Sequence, residues 1–214
     1  MDLRAGGEGA DSYEEVMLIY NGALRQIQTK LSILNDEFQH VHNYNPIEHI
    51  KARLKTPESI VNKLKRHGYP STLENMVKYC NDIAGVRVIC DFTSDIYKIA
   101  DMISNQSDIR VLAIKDYLAN PKPSGYKSYH MIVTVPVYLS DRIVDTKVEI
   151  QIRTIAMDFW ASLEHQLKYK TEGDVPDEIA AELKDCSDVI ANTDQRMQKI
   201  YNTLKTNKTE NKQE

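Results

Sequence analysis

Two long stretches of the chain repeat apolar residues at alternating spacings of three and four. In the first, Tyr20, Leu24, Ile27, Leu31, Leu34, Phe38 and Val41 form one stripe between Tyr13 and about His42, weakened only at Gly22. In the second, Ile179, Leu183, Cys186, Ile190, Thr193, Met197, Ile200 and Leu204 repeat the pattern, and Pro176-Asp177 supplies a helix start before it. Both predict long amphipathic helices. Between them the period shortens to two. Gly85–Cys90, His130–Val135 and Thr146–Arg153 read as strands. Short helices are expected around Pro57–His67, Leu73–Cys80 and Asp95–Ser104, and a longer one over about Ile155–Tyr169, with Phe159, Leu163 and Leu167 as its core stripe. The expected fold class is α/β (α+β): a mixed β-sheet flanked by helices, with long N- and C-terminal helices. Residues 1–12 are small and polar and read as a flexible leader. Residues 206–214 read as a frayed polar tail.

Composition narrows the classes. The chain has 214 residues, 42% hydrophobic and 27% charged, which is ordinary globular composition and excludes collagen-like, disordered and disulfide-scaffold chains. A net charge of −4 disfavours a globally basic nucleic-acid binder but permits a local basic patch. Cys80, Cys90 and Cys186 are odd in number and widely spaced, so buried reduced thiols are expected. No apolar run approaches the roughly 20 residues of a membrane span. The first residues lack the charged start and apolar block of a signal peptide. These features place the protein in the cytoplasm.

Four segments carry candidate chemistry. In the strand Lys147–Arg153, Val148, Ile150 and Ile152 point to one face, and Lys147, Glu149, Gln151 and Arg153 to the other. A half-exposed strand shows the same alternation. Asp82 precedes a second strand, whose Arg87 faces opposite to Val86 and Val88. Asp82 and Glu149 on neighbouring strands can share one Mg²⁺, which is held by one or two carboxylates plus substrate phosphates. Asp82 taken alone also suits a turn or cap. Lys51–Arg66 holds six Lys or Arg and one acid, Glu58. Arg53 and Lys55 share a face if this stretch is extended. Thr56-Pro57 reads as an N-cap followed by Pro at the first helical position. Ser59, Lys63 and Arg66 then lie on one helix face, with Ile60, Val61 and Leu64 on the other. This is either a polyphosphate cradle or a solvated charged helix. The loop Pro121–His130 presents Tyr126 and Tyr129 among Lys122 and Lys127, which suits either base stacking or a plain turn. Along Ile155–His165, Asp158, Ser162 and His165 share a face; His165 is as well explained by a structural hydrogen bond.

Taken together these residues resemble the synthetase domain of the RelA/SpoT family of (p)ppGpp synthetases. The resemblance is carried by Asp-Ile-Ala-Gly-Val-Arg (82–87), Ser-Gly-Tyr-Lys-Ser-Tyr-His (124–130), Val-Glu-Ile-Gln-Ile-Arg-Thr (148–154) and Trp160…Glu164-His165…Tyr169-Lys170, in that order. It spans about Tyr13 to Leu204. There is no His-Asp dipeptide, and the chain looks like a stand-alone small alarmone synthetase. Asn-Pro-Ile-Glu-His (45–49) and Ile155–His165 look most like the RelP branch rather than the RelQ branch.

The resemblance implies a nucleotidyltransferase-like fold and a Mg²⁺-dependent pyrophosphokinase. Such an enzyme moves the β,γ-pyrophosphate of ATP to the 3′-hydroxyl of GDP or GTP and releases AMP. It further implies that Asp82 and Glu149 hold Mg²⁺, with Glu149 accepting the 3′-hydroxyl proton. Arg53 and Arg87 would sandwich adenine, and Lys55, Ser59, Lys63 and Arg66 would hold the ATP phosphates. Tyr126 would stack on guanine, with Lys122, Ser124, His130 and Gln151 around the acceptor and Asp158 accepting from guanine N1–H and N2–H₂. Residues 13–205 would form one synthetase domain. The two striped helices would join copies into a homo-oligomer, the tetramer typical of small synthetases, because one short sheet cannot cover both stripes. No membrane and no obligate nucleic acid are implied. Two other readings compete: a nucleotidyltransferase of different acceptor specificity, and a catalytically silent nucleotide- or RNA-binding module. The presence of both Asp82 and Glu149 argues against silence.

Overall fold

The computed structural model describes residues 12–170 and 175–210. The expected leader, apart from Ser12, and the last four residues of the expected tail lie outside the described residues, as do the side chains of Tyr169 and Lys170.

Helix α1 (Tyr13–His42) begins where the hydroxyl of Ser12 accepts from the Glu15 amide, and ends at Asn43 in the left-handed region, φ 51°. Then follow β1 (Ile47–Leu54), α2 (Pro57–Arg66), α3 (Leu73–Tyr79), β2 (Ala84–Cys90), α4 (Thr93–Ser104), β3 (Arg110–Asp116), β4 (Tyr129–Tyr138), β5 (Ile143–Thr154), α5 (Ile155–Lys170) and α6 (Asp177–Glu210). The Thr56 cap with Pro57 at the first helical turn starts α2 as expected. Helix α6 runs past residue 205 to Glu210.

The five strands form one sheet in the order β1-β2-β5-β4-β3. Only the central pair, β2 and β5, runs parallel; every other pair is antiparallel. The sheet is therefore mixed, as expected, but two of its strands were not anticipated. Both are edges. β1 carries three charged or imidazole side chains on its open face, so its apolar alternation is thin. β3 leaves Leu112 and Ile114 exposed and bulges between Val111 and Ala113, so neither the apolar period nor the register is regular.

One sheet face is apolar. Val86, Val88, Val148, Ile150, Ile152, Met131 and Val133 are buried there, where α1 lies across β1, β2, β4 and β5 and α4 packs on β2 and β5. The α1 stripe is consumed by this face: Tyr20, Leu24, Ile27 and Leu31 are buried, together with Val16, Ile19 and Ala23. Each fully buried Leu or Ile of this kind contributes about 1.5–3 kcal/mol. Gly22 sits at the closest approach, where an added Cβ would come within 3.0 Å of a Val137 methyl. So the weak point in the α1 stripe is where the helix meets β4.

Two sequence expectations are corrected here. Cys80 and Cys90 are buried, but Cys186 is exposed. Phe159, Leu163 and Leu167 are not a core stripe; Phe159 is 58% exposed. Helix α5 instead buries Asp158, Trp160 and Ala161, because it leaves the end of β5 and is wedged between β2, β5 and α6. The α6 stripe is largely uncovered too, with Ile179, Met197, Ile200 and Leu204 exposed.

Candidate active site

The second sheet face is open and polar, and its register builds the site in two cross-strand rows. Arg53 of β1 pairs with Gly85 of β2, which pairs with Glu149 of β5. One step along, Lys51 pairs with Arg87, Arg87 with Gln151, and Gln151 with His130 of β4. Gly85 has no side chain to fill the space between Arg53 and Glu149, and a Cβ there would find only the Arg53 carbonyl, 3.9 Å away. The result is a cavity of about 210 Å³ whose lining includes Arg53, Asp82, Arg87, Glu149 and Gln151.

Asp82 stands in the turn before β2. Lys63 Nζ donates to its Oδ1 at 2.7 Å, and Lys55 Nζ to its Oδ2 at 2.9 Å. Burial alone would raise this carboxyl; the two lysine hydrogen bonds outweigh it and hold Asp82 below the ordinary range. Glu149 behaves alike. Burial raises it and Asp82 repels it, but hydrogen bonds from His130 and Gln151 leave its pKa lowered. Both carboxylates are ionised at neutral pH and close enough to feel each other. They are hard oxygen donors on one cavity, a set that suits Mg²⁺ completed by substrate phosphates. Among the described residues no cluster of three or more His, Cys, Asp or Glu could hold a metal by itself.

On the acceptor side, His130 Nδ1 lies 3.4 Å from Glu149 Oε1, and His130 Nε2 lies 2.9 Å from the Tyr126 hydroxyl. That hydroxyl also accepts from Arg153. The ionised Glu149 carboxylate only accepts, so a neutral His130 facing it carries its proton on Nδ1 and accepts from the Tyr126 hydroxyl at Nε2. The Tyr126 ring has Lys122 Nζ 4.8 Å and the Arg153 guanidinium carbon 5.1 Å from its centroid.

The expected residues are thus brought together in large part. Arg53, Asp82, Arg87, Glu149 and Gln151 line the cavity, Lys55 and Lys63 hold Asp82, His130 adjoins Glu149, and Tyr126 adjoins His130. Ser59 and Arg66 are not brought in: both are exposed and neither lines the cavity. Ser59 accepts instead from the Thr56 hydroxyl at the start of α2. Ser124 lines a second cavity, between the loop and α6, with Leu183 and Lys184. Asp158 is engaged by Arg87, Arg153 and Lys51 rather than left open. His165 is exposed.

Sequence reading missed two residues. Lys51 lines the cavity one alternation before Arg53, a signal that was available once β1 is read as a strand. Arg153 is only 4% exposed, and its guanidinium donates to Ser128, Asp158, Tyr126 and Gln151. Strand alternation placed it on the correct face, but nothing local marked it as buried.

A family model described as a region found in RelA / SpoT proteins matches residues 52–174, which include both carboxylates and the Tyr126 loop. The chain belongs to the RelA/SpoT family. Among its relatives, the GTP pyrophosphokinase YwaC of Bacillus subtilis is 46% identical over 187 residues, 87% of this chain and 89% of that protein. The GTP pyrophosphokinase YjbM of the same organism is 34% identical over 188 residues, 88% of each chain. Solved structures share the fold. Small alarmone synthetase 2 from B. subtilis superposes with a TM-score of 0.82 at 44% identity, covering 89% of this chain and 99% of that one. Small alarmone synthetase 1 from B. subtilis, bound to its product pppGpp, gives 0.84 at 33% identity, covering 90% and 97%.

Proposed function

We propose that the protein is a Mg²⁺-dependent GTP pyrophosphokinase that transfers the β,γ-pyrophosphate of ATP to the 3′-hydroxyl of GDP or GTP. In this reaction the acceptor 3′-oxygen forms a bond to the β-phosphorus, the bond from that phosphorus to the α,β-bridging oxygen breaks, and AMP leaves. The observation that carries the reading is the pair Asp82 and Glu149 on one cavity walled by Arg53 and Arg87, with Lys55 and Lys63 bound to Asp82.

Asp82 and Glu149 would hold Mg²⁺. When bound, the ion would neutralise the charge on the phosphates in flight. Arg53 and Arg87 offer planar guanidinium faces for the adenine. Lys55 and Lys63 are positioned to exchange Asp82 for the ATP phosphates, with Ser59 and Arg66 farther out on α2. Tyr126 stacks the guanine, and Lys122, Gln151 and Asp158 lie on the acceptor side, with Ser124 farther off at the second cavity. Glu149 takes the 3′-hydroxyl proton. Its lowered pKa makes it a weak base, so its contribution comes mainly from placement, with His130 Nδ1–H fixing the carboxylate.

The same proposal makes residues 13–205 the synthetase domain and makes the working form a homo-oligomer, the tetramer typical of small synthetases. The exposed apolar residues of α5 and α6 support this, since α1 is already covered by the sheet. Among the described residues no helix is long and apolar enough to cross a membrane, and we place the enzyme in the cytoplasm.

The test is an incubation of purified protein with ATP, GDP and Mg²⁺, followed by nucleotide chromatography. A 3′-pyrophosphorylated guanosine with equimolar AMP is expected. Glu149→Gln should lower turnover by about 10²–10⁴ with nucleotide affinity retained. Turnover above about a tenth of normal removes the role given to Glu149. Pyrophosphate with an adenylated acceptor would point to a different nucleotidyltransferase, and RNA retention without turnover to a binding module.

A further inference from the structure

Asp158 sits in the first turn of α5, between the two halves of the site, and its carboxylate is shared. Arg87 NH1 donates to Asp158 Oδ1 at 3.1 Å, and Arg153 NH1 donates to the same oxygen at 3.2 Å. Asp158 is itself buried. Arg87 belongs to the wall that also holds Arg53. Arg153 reaches the other way and holds the hydroxyl of Tyr126 through NH2. A contiguous chain of charge-assisted hydrogen bonds therefore runs from Arg87 through Asp158 and Arg153 to Tyr126.

Two further features show that this chain is not fully satisfied as it stands. Arg87 Nε is buried and has no hydrogen-bond partner among the described residues. The two guanidiniums also repel one another, and one carboxylate oxygen of Asp158 bridges them. A planar group stacked on Arg87 would fix the orientation of its fork. Fixing the fork fixes the Asp158 oxygen, and that oxygen orients Arg153 and hence the Tyr126 ring. The ordering cost of the Tyr126 side is then met before its ligand arrives, which is positive coupling between two sites.

We infer that Asp158 is a positioning residue that couples the two nucleotide subsites, so that occupation of the Arg53–Arg87 side strengthens binding at the Tyr126 side. The inference rests on the placement of ATP and acceptor given above and goes beyond it, because a direct contact from Asp158 to guanine creates no coupling. Contact loss and coupling loss separate in a thermodynamic cycle. A lost contact weakens the acceptor equally with and without ATP, and so cancels in the ratio.

The experiment measures GDP affinity by calorimetry on the full chain with Mg²⁺, with and without saturating α,β-methylene ATP. In the unaltered protein the analogue should tighten GDP roughly five- to fiftyfold, and GDP should tighten the analogue by the same factor. In Asp158→Asn, whose fold is checked by its thermal transition, the ratio should fall to within about twofold of unity. A wild-type ratio of one, or an Asp158→Asn ratio equal to wild type, overturns the inference. Arg87→Ala and Tyr126→Ala test the underlying placement separately. If the first leaves analogue affinity unchanged or the second leaves GDP affinity unchanged, the assignment of subsites falls, and the coupling falls with it. If both weaken their own nucleotide and only the Asp158→Asn ratio fails to drop, the coupling alone is wrong.

Discussion

Helices α1 and α6 carry the same kind of apolar stripe and meet opposite fates. α1 lies flat on the apolar sheet face and buries nearly its whole stripe as far as Leu31. α6 attaches through its polar side instead. Trp160 Nε1 donates to the Leu183 carbonyl at 2.9 Å, Ser187 Oγ to the Gly125 carbonyl at 2.6 Å, Thr154 Oγ1 to Asp194 Oδ2 at 2.7 Å, and the Ser94 amide to Gln198 Oε1 at 2.9 Å. The Ser187 contact is close enough that a Cβ on Gly125 would come within 2.8 Å of the serine Cβ, and Gly125 also has φ +88°. Only glycine fits both demands. The contrast teaches that periodicity identifies a helix but not its covered side. A helix on the sheet is held by apolar burial; α6, laid over strand ends and loops, is held by hydrogen bonds to backbone and side-chain groups there and by the stacking of Tyr201 on Phe92.

The largest effect that would sharpen this contrast is a truncation in each stripe. Ile27→Ala, at a side chain only 1% exposed, should cost about 2–5 kcal/mol in urea unfolding. Ile200→Ala, at a side chain 54% exposed, should stay within about 0.5 kcal/mol when measured in dilute protein. Comparable losses at the two sites would break the comparison. A smaller effect is expected from Gln198→Ala. It strips the partner from an amide in the first turn of α4, a helix whose cap position makes no side-chain hydrogen bond, and should cost about 1 kcal/mol. No change there would mean that α6 is not held by its polar side. The smallest effect on stability, within about 0.5 kcal/mol, should come from Met197→Glu combined with Ile200→Glu. Light scattering should nevertheless show a smaller assembly than the unaltered chain. An unchanged mass would remove α6 from the proposed oligomer contact.

Legibility differed in the same way within the site. Glu149, Gln151 and Arg87 were readable because a strand alternates strictly, so a polar residue between buried valines or isoleucines must face the other side. Lys55 and Lys63 were readable as a basic cluster, but their grip on Asp82 was not, since it joins the residue after β1, α2 and the turn before β2. Ser59 and Arg66 looked equivalent to Lys63 on the helix face. Of the three only Lys63 reaches the site, with its Nζ 2.7 Å from Asp82, while Ser59 and Arg66 are exposed.

The sequence by itself determined the helices and central strands, the family, and the carboxylate pair. These depend on spacing over a few residues, which backbone geometry converts directly into faces. Tertiary structure alone decided which stripe is covered, that Arg153 is buried, and that Asp158 is shared between two arginines. Each of these depends on a partner far along the chain, as with Arg87 and Asp158, which are 71 positions apart. The strength of such a charged contact is set by how much water the intervening elements exclude, a quantity no local pattern contains.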